Sequence, residues 1–225
     1  MKLQYKKIGT TEYVVKGKNP QLLIMSGTHG DEYQVIKSVE KAMGKLWNEL
    51  PDLLFIPQVS PSAVFAKTRV NEDGLDINRN FFDNSSEKEI QNLIKIIAPH
   101  HFDTAFTFHE DPERNKFYIY DTGFLNHKTR LNLKKELKLI GIKLYNGVDD
   151  PSDPVLGYQA KKGYIRTSAE DIVVTHGSFE DWALSKKIIG HVVNPEIPGI
   201  ADQQTKDKIV EIIFRQIIIP YFAAR

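Results

Sequence analysis

The sequence predicts an α/β fold: a single domain over residues 1–225, in three layers, with a mixed, largely parallel and twisted sheet between helices. Three observations predict it. Apolar runs of strand length alternate with segments of helical periodicity along nearly the whole chain, the order that builds layered α/β folds. The clearest run, "LLIMSG", reads as a strand buried on both faces, as strands of parallel sheets are. The 225 residues hold no repeat and no low-complexity linker, and a chain of that length buries roughly 70–75% of its unfolded surface in one body.

Along the chain, "EYVVKG" at 12–17 and "LLIMSG" at 22–27 read as strands, and 31–50 as a helix. "LLFIPQVSP" at 53–61 is the next strand, and a Ser-Ser-Glu-Lys-Glu start signal opens a helix over 86–97. "TAFTFHE" at 104–110 and "KFYIYD" at 116–121 follow as strands. The spacing of Leu131, Leu133, Leu137, Leu139 and Ile140 predicts a helix over 126–140, although Leu131 and Leu133 alone would also suit a strand. Residues 146–171, rich in Gly, Pro, Asp and Tyr, form the least regular stretch. A short strand at 190–196 and an amphipathic helix over 202–221 close the chain.

Composition excludes several functions. A formal net charge of +1, with Lys and Arg scattered among acids, gives no footprint for nucleic acid. No apolar run approaches the roughly 20 residues that cross a bilayer, and "MKLQYKKIGTTEY" lacks a signal-peptide core, so the expectation is a cytoplasmic chain without a membrane partner. With no cysteine, a metal would have to be held by nitrogen and oxygen.

In layered α/β folds ligands bind beyond the carboxyl ends of strands. His29 and Glu32 stand at such an end, where "LLIMSG" runs through Thr-His-Gly-Asp-Glu into a helix. An imidazole in the loop and a carboxylate three residues later can converge on one zinc ion. The plainer reading is a polar loop His beside acids that complement the helix dipole. A catalytic zinc needs a third ligand, and His109, at the end of a strand-forming run, is the best placed. His100 and His101 suit a helix end; His127, His176 and His191 stand in reserve.

Between these positions lies "TRVNEDGLDINRNF", residues 68–81. H-x-x-E at 29–32, D-x-N-R-N-F at 76–81 and the strand-terminal His109 together resemble the zinc carboxypeptidase family, which includes the succinylglutamate desuccinylase and aspartoacylase branch. "GSFEDWALSKKIIGHVVNPE", 177–196, is similar to that family's Gly-Ser-x-Asp-Trp segment and the catalytic Glu one strand later, so the resemblance runs from about Leu22 to Glu196. It implies the family's sheet-between-helices fold, one Zn²⁺ per chain on His29, Glu32 and His109, and Glu196 as the general base that activates water, with Glu110 and Glu180 as reserves. Arg79, beside Asn78, corresponds to the arginine that grips a substrate's free carboxylate, for which a guanidinium fork is suited.

Three departures stand out. Where the family places its oxyanion-stabilising arginine this chain has Ala66, so Arg69, which resembles an arginine of the desuccinylase/aspartoacylase branch, is the substitute. The tyrosine that closes over substrate is replaced at Ile172 and Val173, leaving Tyr158 or Tyr164 to reach inward. An extra residue in Phe179-Glu180-Asp181-Trp182 blurs the side-chain specificity position. The resemblance therefore implies a zinc-dependent hydrolase acting on an amide next to a free carboxylate, in a small peptide or an acylated amino acid. The alternatives are an N-acyl-amino-acid deacylase and a metal- or peptide-binding protein without turnover. Oligomeric state is not readable.

Overall fold

A computed structural model of the chain describes residues 3–150, 157–168 and 176–224. Its strands are β1 (Lys6–Ile8), β2 (Thr11–Lys16), β3 (Leu22–Ser26), β4 (Leu53–Ile56), β5 (Phe102–Asp111), β6 (Lys116–Asp121), β7 (Lys143–Leu144), β8 (Gly147–Val148), β9 (Gln159–Ala160), β10 (Tyr164–Arg166) and β11 (Ile189–Pro198). The helices are α1 (Tyr33–Leu46), α2 (Pro61–Ala66), α3 (Lys88–Ile97), α4 (His127–Leu139), α5 (Phe179–Ser185), α6 (Gln203–Ile213) and α7 (Ile219–Ala223), the last two joined by a π-turn over Phe214–Ile218.

The sheet grows outward from β3, which is buried at every position and paired in parallel with β4 on one side and β5 on the other. The main sheet runs β1-β2-β4-β3-β5-β11-β6-β10, with β7 also on β6; β8 and β9 form a separate ribbon. Parallel pairing governs the centre, whereas β1/β2, β2/β4 and β6/β11 are antiparallel. Alternation along the strands divides the core in two. Ile24, Phe106, Phe108, Val193 and Ile197 face α1, α4 and α6, while Leu23, Met25, Ile56, Ala105 and Val192 face α3 and α5. The predicted three-layer α/β fold is the one observed. Among the described residues no helix is long and apolar enough to cross a membrane.

Local chemistry explains where elements begin and end differently from the sequence reading. The strand expected over 53–61 stops at Ile56, because Pro57 offers no N–H to a ladder. The chain instead enters α2, with Pro61 in the first turn where its missing donor costs nothing. The helix expected over 31–50 is α1 flanked by single 3₁₀ turns at Gly30–Glu32 and Trp47–Glu49. The last strand is longer than expected, at ten residues. Helix α5 arises where the sequence reading placed none: the Ser178 side chain caps it by accepting the Asp181 N–H. Ile172 and Val173 lie outside the described residues.

Candidate metal centre

The site begins where β3 ends. His29 leads into the 3₁₀ turn that carries Glu32, and α2 lies directly on this turn. The Gly30 N–H donates to the Thr68 carbonyl at 2.8 Å, and a Cβ on Gly30 would stand 1.8 Å from the Ala63 carbonyl oxygen. Only glycine permits so close an approach. On the neighbouring strand Ser26 pairs with Phe108, so His109 projects one residue beyond the end of β3.

These three side chains meet. His29 Nδ1 lies 2.6 Å from Glu32 Oε1, and His109 Nδ1 lies 2.9 Å from Glu32 Oε2. The three donor atoms fall within 4.8 Å of one another, and all three residues are buried. Among the described residues this is the one group of His and acidic side chains so arranged; none of the reserve histidines enters it. Two imidazole nitrogens and one carboxylate oxygen are a suitable donor set for a divalent ion of the zinc type. His109 Nε2 is buried without a hydrogen-bond partner, so Nδ1 is the nitrogen turned to the shared point.

The electrostatics agree. Burial alone would lower His29 and His109, but the Glu32 carboxylate outweighs it, and His29, also bonded to Asp76, is lifted to about 10. Burial alone would raise Glu32, yet the charges and hydrogen bonds of His109 and His29 hold it well below the usual carboxylate range. The Glu32 carboxylate thus favours positive charge at this point, whether from protons on the imidazoles or from a cation that replaces them.

Asp76 is the residue that sequence reasoning missed. Its Oδ1 lies 3.3 Å from His29 Nε2 and accepts the Asn78 N–H at 2.9 Å, while its Oδ2 accepts Arg69 Nε at 3.0 Å and Nη2 at 2.9 Å. A carboxylate on the far nitrogen of a ligating His fixes ring orientation and leaves the near nitrogen free to bind. The signal was present, because Asp76 opens the D-x-N-R-N-F motif. Arg69 is half-exposed, with its fork committed to Asp76. Asn78 is committed too: its Oδ1 accepts the Phe179 N–H at 2.9 Å. Arg79 Nη1 donates to the Asn78 carbonyl at 2.9 Å. Gly177 has φ +82°, and a Cβ there would stand 2.2 Å from the Arg79 carbonyl, so the start of α5 is locked onto this segment.

Glu196 comes from β11, level with His109 across the parallel ladder and opposite Tyr118 across the antiparallel one. Among the described residues nothing hydrogen-bonds its carboxyl. Burial, with Glu32 and Asp111 nearby, pushes it up to about 8 against the pull of His109. Tyr118 is held away from it by donating to Asp111 Oδ2 at 2.8 Å. Tyr164 donates to Asp121 at 2.8 Å, whereas Tyr158 is 43% exposed and meets the edge of Tyr120. Glu110 points to the opposite face of the sheet, where it meets Lys206 and the Val35 N–H.

A family model described as the succinylglutamate desuccinylase/aspartoacylase catalytic domain matches residues 18–143, more than half of the chain. The chain belongs to this family. Its matched region holds His29, Glu32, Asp76, Arg79 and His109, and the family is one of hydrolase-type enzymes in the zinc carboxypeptidase-like group. Solved structures agree on the fold. A proposed metallopeptidase of Shewanella amazonensis superposes with a TM-score of 0.76 at 21% identity, covering 96% of this chain and 86% of the other. The murein-tripeptide amidase MpaA of Escherichia coli O157 gives 0.60 at 19%, covering 92% and 84%. A metallo-carboxypeptidase of Burkholderia cenocepacia gives 0.63 at 12%, covering 96% of this chain and 61% of that one. Among curated proteins, none matches the sequence.

Proposed function

We propose that the chain is a zinc-dependent hydrolase of the carboxypeptidase type, cleaving an amide whose nitrogen belongs to an amino acid with a free α-carboxylate. The observation that carries this reading is the convergence of His29, Glu32 and His109 beside Glu196, whose carboxyl accepts no hydrogen bond among the described residues. When bound by those three residues, zinc supplies Lewis-acid polarisation of the scissile carbonyl and acidifies water.

The chain's own groups do the rest. Glu196 takes a proton from the attacking water and returns it to the departing amine. Burial raises the proton affinity of Glu196, which suits that return. Asp76 holds the His29 ring in the binding tautomer. Arg79 receives the substrate's carboxylate on its fork, which selects a chain end over a chain interior. Arg69, with His29, keeps Asp76 charged; its Nε and Nη2 are engaged there, which leaves Nη1 as the donor assigned to a developing oxyanion.

A second reading, an N-acyl-amino-acid deacylase, is favoured by the family match itself. Both reactions release an amino acid from an amide and differ only on the acyl side. Hydrolysis of a panel of dipeptides and N-acyl amino acids by the zinc-loaded chain separates them, and the carboxypeptidase reading expects the dipeptides to be faster. The role of Arg79 is tested by a double-change cycle. Amidating the substrate's C-terminus and changing Arg79 to Ala should each cost at least about 30-fold in kcat/KM, the lower end for breaking a charge-assisted pair, and together little more than either. Fully additive losses would show that Arg79 does not touch the carboxylate.

A further inference from the structure

Behind the metal centre, on the opposite face of the sheet, lies a buried ion pair that the chemistry above does not use. Lys206 of α6 has no solvent exposure, and Glu110, the residue after His109, is 4% exposed. Lysine is almost never buried so completely unless paired. Here its ammonium donates to Glu110 Oε2 and to the side-chain oxygen of Gln34, and Glu110 Oε1 accepts the Val35 N–H in the first turn of α1. Gln203, one turn earlier on α6, donates to the Gln34 carbonyl at 3.1 Å.

Position gives the pair its interest. Glu32 and Gln34 lie two residues apart at the start of α1, and His109 and Glu110 are adjacent at the end of β5. The Glu110 N–H donates to Glu32 Oε2 at 3.1 Å, the oxygen that also meets His109. Lys206 therefore joins, from behind, the two segments that present Glu32 and His109 in front. Stability alone is a poor reason for such a pair, since buried ion pairs replaced by apolar groups of equal volume are often neutral or stabilising.

We propose that Lys206, with Glu110 and Gln34, is a positioning device that sets the spacing of Glu32 and His109 and thereby the affinity of the site for its metal. The inference rests on the metal-site reading above. It predicts that loosening the device weakens metal binding more than it weakens the fold.

The test compares the full-length chain with two variants by measuring zinc affinity in competition with a chelator, alongside thermal unfolding of the metal-free proteins. Lys206→Met/Glu110→Gln removes both charges at nearly constant volume. It should bind zinc about 10–100-fold more weakly, the range for groups that orient metal ligands, while its metal-free Tm stays within a few degrees of wild type. Gln34→Leu, at a half-buried position, removes one hydrogen bond and should weaken zinc at least about threefold on the same scale. Wild-type affinity in a folded double variant, or in Gln34→Leu if the double variant does not fold, overturns the proposal. A fall in Tm with affinity unchanged shows a structural role only and overturns it equally. No zinc uptake by the wild-type chain would instead sink the metal-site reading and the device with it.

Discussion

Glu196 shows how much of a residue's chemistry comes from its place in a ladder. It is level with His109 on one side and Tyr118 on the other, and it binds no protein group among those described. The proposed role of proton carrier predicts that Glu196→Gln keeps stoichiometric zinc and near-normal KM while kcat falls at least about 10²-fold. Metal content by elemental analysis together with steady-state kinetics decides it; near wild-type turnover would move the base elsewhere, with Glu180 the remaining candidate. That His29, Glu32 and His109 meet was legible in the sequence because strand ends are legible: an apolar run that stops at a His marks both an element and an exit. What Asp76 and Lys206 touch was not legible: the D-x-N-R-N-F motif marks Asp76 without saying which His it meets, and Lys206 lies far along the chain on the back of the sheet.

At the scale of elements, α2, like α5, is a piece that periodicity could not find. Its six residues are too few for a helical pattern, and the strand before it runs into prolines that look like a continuation. Yet α2 supports the metal turn. Gly30→Ala would drive a Cβ into the Ala63 carbonyl, so α2 or the turn must move; overpacking of that kind costs about 1–3 kcal/mol. Thermal unfolding should show a Tm lower by about 2–12 °C, at 2–4 °C per kcal/mol for a chain of this size, and zinc affinity should drop with it. An unchanged Tm would mean that the packing of α2 on the turn is looser than it looks.

The seam between α1 and α6 carries a pH dependence. Asp207 accepts from Ser38 at 2.7 Å and Lys41 at 2.6 Å, and Glu211 from Lys45 at 2.8 Å. For Asp207 these bonds outweigh a burial that by itself would raise it; for Glu211 the Lys45 bond leads. Both carboxyls are held below their ordinary values. A depressed carboxylate stabilises the fold above its unfolded pKa, about 4, and that contribution is lost as pH falls through the folded value. Asp207→Asn should therefore lower Tm by a few degrees at pH 7, consistent with a surface pair worth up to about 1 kcal/mol, and the two curves should converge below about pH 3. A constant gap down to pH 3 would show that the carboxylate charge is not what stabilises the seam.

For the whole molecule, the layer order was readable because each central strand is apolar on both faces and each helix on one, so period and burial point the same way. The far edge was not, because β7 to β10 have two or three residues each and take their form from neighbours rather than from their own composition. A single domain with its candidate metal site at the ends of its central strands should unfold in one calorimetric transition. Zinc free at 100 times its Kd adds about 2.7 kcal/mol, which raises Tm by about 5–11 °C. Two transitions, with only one responding to zinc, would divide the chain.

The proposed reaction chemistry is anchored in the hydrogen-bond ladder, for His109 and Glu196 sit on adjacent paired strands, while Arg69, Arg79 and Tyr158 hang on connecting segments. The two can therefore change on separate schedules. A library randomised in the segments around 65–75 and 157–163 would explore new acceptors with His109 and Glu196 untouched, whereas inserting a single residue into β11 before Glu196 would turn the proposed base to the wrong side of the sheet and should end hydrolysis of every substrate at once.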